Sequence, residues 1–160
     1  MNAHDGIKMS IDMGDMVSLS YLEDMTDAEL MKRPCAGCNH INWQIGHLIV
    51  SENQMVEGVV PGSMPALPAG FAEKYTKEMA TCDDAAKFAK KDELLRIQKE
   101  QRAATLAALA KTSEADLTKS TGLDYAPTVA ALFSLQGSHW LMHCGQWAVV
   151  RRQLGRKPLF

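Results

Sequence analysis

Apolar residues recur at intervals of three and four in four stretches of the chain, the spacing that lines them along one side of an α-helix. The first stretch runs from about Ile7 to Met25 and carries Met9, Met13 and Met16 on one stripe. Thr26 and Glu29 then form a T-x-x-E capping box, which predicts a short helix through Met31 that Pro34 ends. The second long stretch spans about Asn39 to Val59 and stops before Pro61-Gly62. The third spans about Lys91 to Lys111, with Asp92 and Glu93 near its positive end. The fourth begins near Thr128, just after Pro127, and continues to Leu154; Gly155 suits a C′ position and Pro158 lies beyond it.

Strand signals are missing, because no alternating β-branched run is bounded by an Asn-Gly or Asp-Gly turn. Residues 61–70, PGSMPALPAG, form a proline- and glycine-rich loop, long enough to cover a functional surface, and residues 71–90 hold one or two short helical pieces. The expectation is an all-α protein: a four-helix bundle, one domain over residues 1–160, with a long, partly helical connection between the second and third long helices.

Composition narrows the function classes. Hydrophobic residues make up 46% and charged residues 22%, the balance of an ordinary soluble globular domain. A formal charge of -2 argues against a general binder of nucleic acid or anionic membrane. The one basic cluster, Arg151-Arg152 with Arg156 and Lys157, reads as cations that complement the end of the last helix. No apolar run approaches the roughly 18–20 residues that span a bilayer. The start, MNAHDGIKMSIDMGD, lacks a basic region followed by an apolar one, so no signal peptide is expected. Four cysteines in a chain of this length do not make a disulfide scaffold, and a cytoplasmic location follows.

The histidines carry the candidate chemistry. His139 and His143, in SHWLMHCGQWAVVRRQLG, stand four apart on one helical face, close enough for two imidazoles to take one divalent ion. Bundles build metal sites from facing helices, so a third ligand is sought on another helix. His40 and His47 compete for that place, lying about 10 Å apart along their own axis. His40 falls at the expected helix start, where a capping or surface role suits it. His47 lies deep in its helix, one turn after Trp43, and is the preferred ligand. His4, near a terminus expected to fray, receives no role.

The pair is not a zinc-protease signature, which needs Glu directly after the first histidine; that place is Trp140. Gln146, on the face of the pair, either supports a ligand or meets substrate, or is an amide at the edge of the core. Trp140, Cys144 and Trp147 share a neighbouring stripe that packs against other helices or a second subunit. Cys35 and Cys38 form a lone C-x-x-C, which reads as a loop with two free thiols rather than a zinc or redox motif. The ten methionines read as core filler.

Two segments, MTDAELMKRPCAGCNHINWQIGHL and SHWLMHCGQWAVVRRQLGRKP, together resemble the DinB-like (DinB/YfiT) superfamily of metalloenzymes. The first is similar to a family pattern N-H-x-x-W-x-x-G-H-L, the second to H-x-x-x-H-x-G-Q-x-x-x-x-R-x-x-L-G. The likeness implies a four-helix bundle, frequently a homodimer, whose metal, often nickel or zinc, is held by His47, His139 and His143. It also implies thiol chemistry, since some relatives are transferases or isomerases using bacillithiol or mycothiol. Many relatives have an acidic residue where this chain has Trp140, which removes a carboxylate-assisted step. The leading expectation is therefore a metal-dependent enzyme on a small molecule, a thiol S-transferase. The alternatives are a metal-dependent hydrolase, a non-catalytic metal- or ligand-binding helical dimer, and a plain bundle with structural histidines.

Overall fold

The computed structural model describes residues 1–160. Four long helices dominate: α1 (Ala3–Leu22), α3 (Ile41–Val59), α4 (Lys91–Lys111) and α6 (Val129–Gln153), with one-turn helices α2 (Asp27–Leu30) and α5 (Glu114–Leu117) between them. Three short 3₁₀ turns, Ala72–Tyr75, Lys77–Thr81 and Ala85–Lys87, punctuate the link from α3 to α4. A hairpin of β1 (Ser120–Leu123) and β2 (Ala126–Thr128) precedes α6.

Cross-helix contacts set the directions. Gly14 lies against Gly137 and Tyr21 against Arg151, so α1 and α6 run parallel. Asn42 bonds Ala89 and Glu52 meets Arg102, so α3 and α4 are parallel as well. Gln44 faces Trp147 while Met55 faces Gln136, which makes α3 antiparallel to α6. The order is up-down-down-up, and the link across residues 60–90 must return along the bundle to start α4 beside the beginning of α3. Tyr75 staples that link to α3. Its hydroxyl accepts from Ala89 N–H at 3.1 Å and donates to Asn42 at 3.3 Å, and its ring fills the space where a Cβ on Gly46 would stand.

Two apolar clusters stack along the axis. One gathers Trp43, Ile45, Leu48, Trp140 and Trp147; the other gathers Ile11, Val56, Leu132 and Phe133. Between them lies a layer of buried polar side chains. Arg102 Nη2 stands 3.1 Å from Glu52 and Nε 3.2 Å from Asp15, while Thr105 donates to Glu52 at 2.7 Å. Burial pushes the Glu52 carboxyl up and Arg102 opposes it.

Several expectations need correction. Helix α1 starts at Ala3, because Asn2 and Asp5 make a capping box, and His4 is pinned by Thr112 O at 2.7 Å and Glu114 at 3.1 Å rather than frayed. The methionine stripe is outside: Met9, Met13 and Met16 are 62%, 53% and 52% exposed, while Ile7, Ile11, Gly14, Ser18 and Leu22 face inward. The small residues Gly14 and Ser18 interrupt that apolar face where α1 and α6 approach closely: a Cβ on Gly14 would lie 2.6 Å from the Gly137 carbonyl oxygen. The hairpin was not foreseen; its turn is Asp124-Tyr125 and Gly122 supplies a positive φ of 75°. Cys35 and Cys38 are joined by a disulfide instead of standing free. Arg151 and Arg152 do lie in the last turn of α6, as expected, but Arg151 is also buried against Asp24 and Arg156 bonds Asp24 and Glu29, so these two cations additionally fasten α6 to the α1–α2 turn. The Thr26–Glu29 capping box and the α4 limits are as expected.

Candidate metal centre

The antiparallel seam of α3 and α6 brings His47 across from His139 and His143. One nitrogen from each ring lies within 4.8 Å of the others. Ring centroids are 5.5 Å apart for His47–His139, 5.8 Å for His47–His143 and 5.1 Å for His139–His143. His143 is 9% exposed, and His47 and His139 are half-buried.

Neighbouring side chains orient the rings. His47 stacks on Trp43 with centroids 5.0 Å apart and planes 5° from parallel, and Trp43 is fixed by donating Nε1–H to Thr76 O at 2.9 Å. Gln44 orients His143. Trp147 Nε1–H, a donor only, gives to Gln44 Oε1 at 2.9 Å, which assigns that atom as the oxygen. The Gln44 amide nitrogen donates to Asn39 O at 2.7 Å and to Gln146 Oε1 at 3.1 Å. His143 Nδ1, 3.1 Å from the same Gln44 oxygen, must then carry its proton and donate. That tautomer leaves the Nε2 lone pair of His143 free for a ligand.

The electrostatics favour neutral imidazoles. Burial depresses the pKa of all three; His139 and His143 fall to about 4, with their histidine neighbours adding to the effect. His47 is lowered by burial and by the Lys77 charge. No carboxylate contributes at any ring. Three unprotonated nitrogens converging from two helices suit a divalent transition-metal ion.

The other singled-out residues fall outside the triad. His40 caps α3, its Nδ1 accepting from Trp43 N at 3.0 Å, so its Nε2–H donates to Cys82 O at 3.1 Å; both nitrogens are engaged and the ring is buried, not on the surface. Gln146 supports the site at one remove through Gln44. Trp140, Cys144 and Trp147 pack in the core, and burial pushes the Cys144 thiol up to about 12, which favours its protonated, unreactive form. Gln44 was missed, although its place three residues before His47 puts it one turn away on the same side. The largest cleft, about 650 Å³ between α1 and α4, contains none of the three histidines.

The family model of the DinB superfamily matches residues 11–147, a span that includes the whole triad. The chain also superposes on the crystal structure of a conserved protein from Enterococcus faecalis with a TM-score of 0.71. The two are 17% identical, and the match covers 98% of this chain and 99% of that one, a likeness of fold. No curated protein matches the chain.

Proposed function

The chain belongs to the DinB superfamily, and we propose that it is a metal-dependent enzyme transferring a low-molecular-weight thiol to a small-molecule electrophile. His47, His139 and His143 hold the divalent ion, nickel or zinc. The observation that carries this reading is the convergence of three imidazole nitrogens within 4.8 Å, with the His143 tautomer set by Gln44. A bound divalent ion supplies Lewis acidity, which lowers the pKa of a thiol.

The residues around the triad support thiol transfer over hydrolysis. Carboxylate-assisted hydrolysis of the zinc-protease kind uses a base directly after the first histidine, and that position here is the buried Trp140, which leaves only hydrolysis by metal-activated water. A thiol is far more acidic than water and needs less help. In the transfer, the thiol proton passes to solvent and sulfur forms a bond to the electrophilic carbon. The displaced group leaves with the electron pair of the broken bond. Trp43 and Gln44 hold the His47 and His143 rings still.

The test is incubation of zinc- or nickel-loaded protein with bacillithiol, mycothiol or glutathione and a panel of electrophiles. Conjugation that requires metal and disappears in His139→Ala is expected. Metal-dependent ester or amide cleavage without added thiol would transfer the reading to a hydrolase. Tight metal binding with neither activity would favour the non-catalytic reading. A homodimer belongs to the same proposal: exposed Met9, Met13 and Met16 on α1, with Met142 and Val149 on α6, are apolar surface that a second copy would cover. Light scattering at micromolar concentration checks it, and a monomer there refutes it.

A further inference from the structure

A groove of about 340 Å³ runs beside the seam of α3 and α6, walled by the β1–β2 hairpin. Its lining starts where the triad ends. Ser51 is one turn beyond His47, and Gln54, Met55 and Gly58 continue that side of α3 at i+7, i+8 and i+11. Leu132 stands two turns before His139 on the same side of α6, roughly 10 Å away by the helical rise. Tyr125, at the hairpin turn, is 65% exposed along the lip.

The lining contains no charged residue. A charged group laid there would lose hydration and meet only the neutral Ser51, Gln54 and Thr121, whereas hydrocarbon would gain by leaving water against Met55, Val59, Leu123, Tyr125 and Leu132. The larger cleft between α1 and α4 offers no such continuity with the triad. Its polar floor is also spoken for: Asp15 accepts from Gln98 at 3.3 Å and lies 3.2 Å from Arg102.

We infer that this groove receives the uncharged, apolar tail of the substrate. The substrate is then an elongated amphiphile, with a metal-binding or reacting head at the triad and an aliphatic or aromatic chain about 10 Å long between α3, α6 and the hairpin. The inference rests on the metal reading above, and its test separates the two.

Calorimetry on zinc-loaded protein with a ladder of straight-chain hydroxamates, from acetohydroxamate to dodecanohydroxamate, reads head and tail independently. Affinity should rise about twofold or more per added methylene until the chain fills the groove, then level off. Gln54→Glu/Gly58→Glu places two carboxylates in the uncharged lining, at surface positions where a Cβ on Gly58 meets nothing within 4 Å. This variant should bind acetohydroxamate as the parent does and lose at least about tenfold on the longest chains. Tyr125→Ala should flatten the upper part of the ladder. An affinity independent of chain length, or a ladder unchanged in both variants, overturns the groove and leaves the metal site standing. Failure of acetohydroxamate itself to bind overturns the metal reading and this inference with it.

Discussion

Substituting Gln44 tests the ring-orienting network most directly. The side chain is 1% exposed, and its oxygen accepts from both His143 Nδ1–H and Trp147 Nε1–H. Gln44→Leu keeps the approximate volume and removes that acceptor, leaving two buried donors unpaired. Each costs about 1–3 kcal/mol. The metal-free variant should therefore lose about 2–5 kcal/mol in urea unfolding, allowing for partial relaxation. The functional effect is separate. Without the acceptor, nothing selects the His143 tautomer that presents Nε2, and loss of such a supporting partner typically weakens metal binding about 10–100-fold. Gln44→Glu keeps an acceptor for both rings while deleting the donors to Asn39 O and Gln146. It should be destabilised too, yet bind zinc at least as tightly as the parent, since a carboxylate makes the imidazole a stronger ligand. Chelator competition with zinc, at a temperature where both variants are folded by circular dichroism, reads the difference. Equal zinc affinity in parent, Leu and Glu variants would falsify the assigned role of Gln44, whatever their stabilities.

Other outcomes follow from the same geometry. His139→Ala should reduce bound zinc from about one ion per chain to substoichiometric levels by elemental analysis, since two protein ligands hold such an ion poorly. Full occupancy in that variant would exclude His139 as a ligand. Metal-free protein should lose stability as pH falls below about 6.5, because the unfolded chain there takes up protons that native His139 and His143, with pKa about 4, refuse. The loss should grow down to about pH 4, whereas between pH 7 and 8 these groups contribute no slope; urea midpoints that do not fall from pH 7 to pH 5 contradict it. Gly14→Ala should cost about 1–3 kcal/mol or more in urea unfolding, because the new Cβ meets the Gly137 backbone rather than a side chain that can move.

How much of this was legible in the sequence depends on whether the signal was local. The capping box at Thr26 and the limits of α4 were readable because each rests on residues a few positions apart. Spacing on one helix paired His139 with His143, and the demand for a facing ligand singled out His47. Their meeting depends on the antiparallel seam of α3 and α6, which the bundle expectation supplied only in outline. The methionine stripe misled because periodicity marks a side without saying which side faces inward. Gly14 and Ser18 join Ile7, Ile11 and Leu22 on the inner side of α1, and only the close approach of α6 reveals that. The hairpin escaped because its strands are three and four residues long and lack the usual Asn-Gly or Asp-Gly turn. The Cys35–Cys38 pairing lay beyond spacing alone, since a single C-x-x-C is equally consistent with free thiols.

The buried polar layer was invisible for the same reason, and it has a consequence for the site. Glu52, Asp15, Arg102 and Thr105 come from three helices, and their pairing fixes how α3, α4 and α1 slide relative to one another. Arg102 also donates to Gln136 O at 3.1 Å, which ties α6 into the same register. Glu52 lies five residues beyond His47 and Gln136 three before His139, so the layer sets the height at which the three imidazoles meet. Arg102→Met should therefore do two things. It leaves Glu52 buried without its cation, costing about 3–5 kcal/mol. It also frees the α3–α6 register, so zinc affinity should fall although no ligand has been touched. Arg102→Met/Glu52→Gln removes the stranded charge and should recover part of the stability without restoring the tie from residue 102 to Gln136. If zinc affinity in the double variant returns fully with stability, the layer is a matter of charge compensation alone. If stability recovers while affinity stays low, the layer acts as the register of the metal centre.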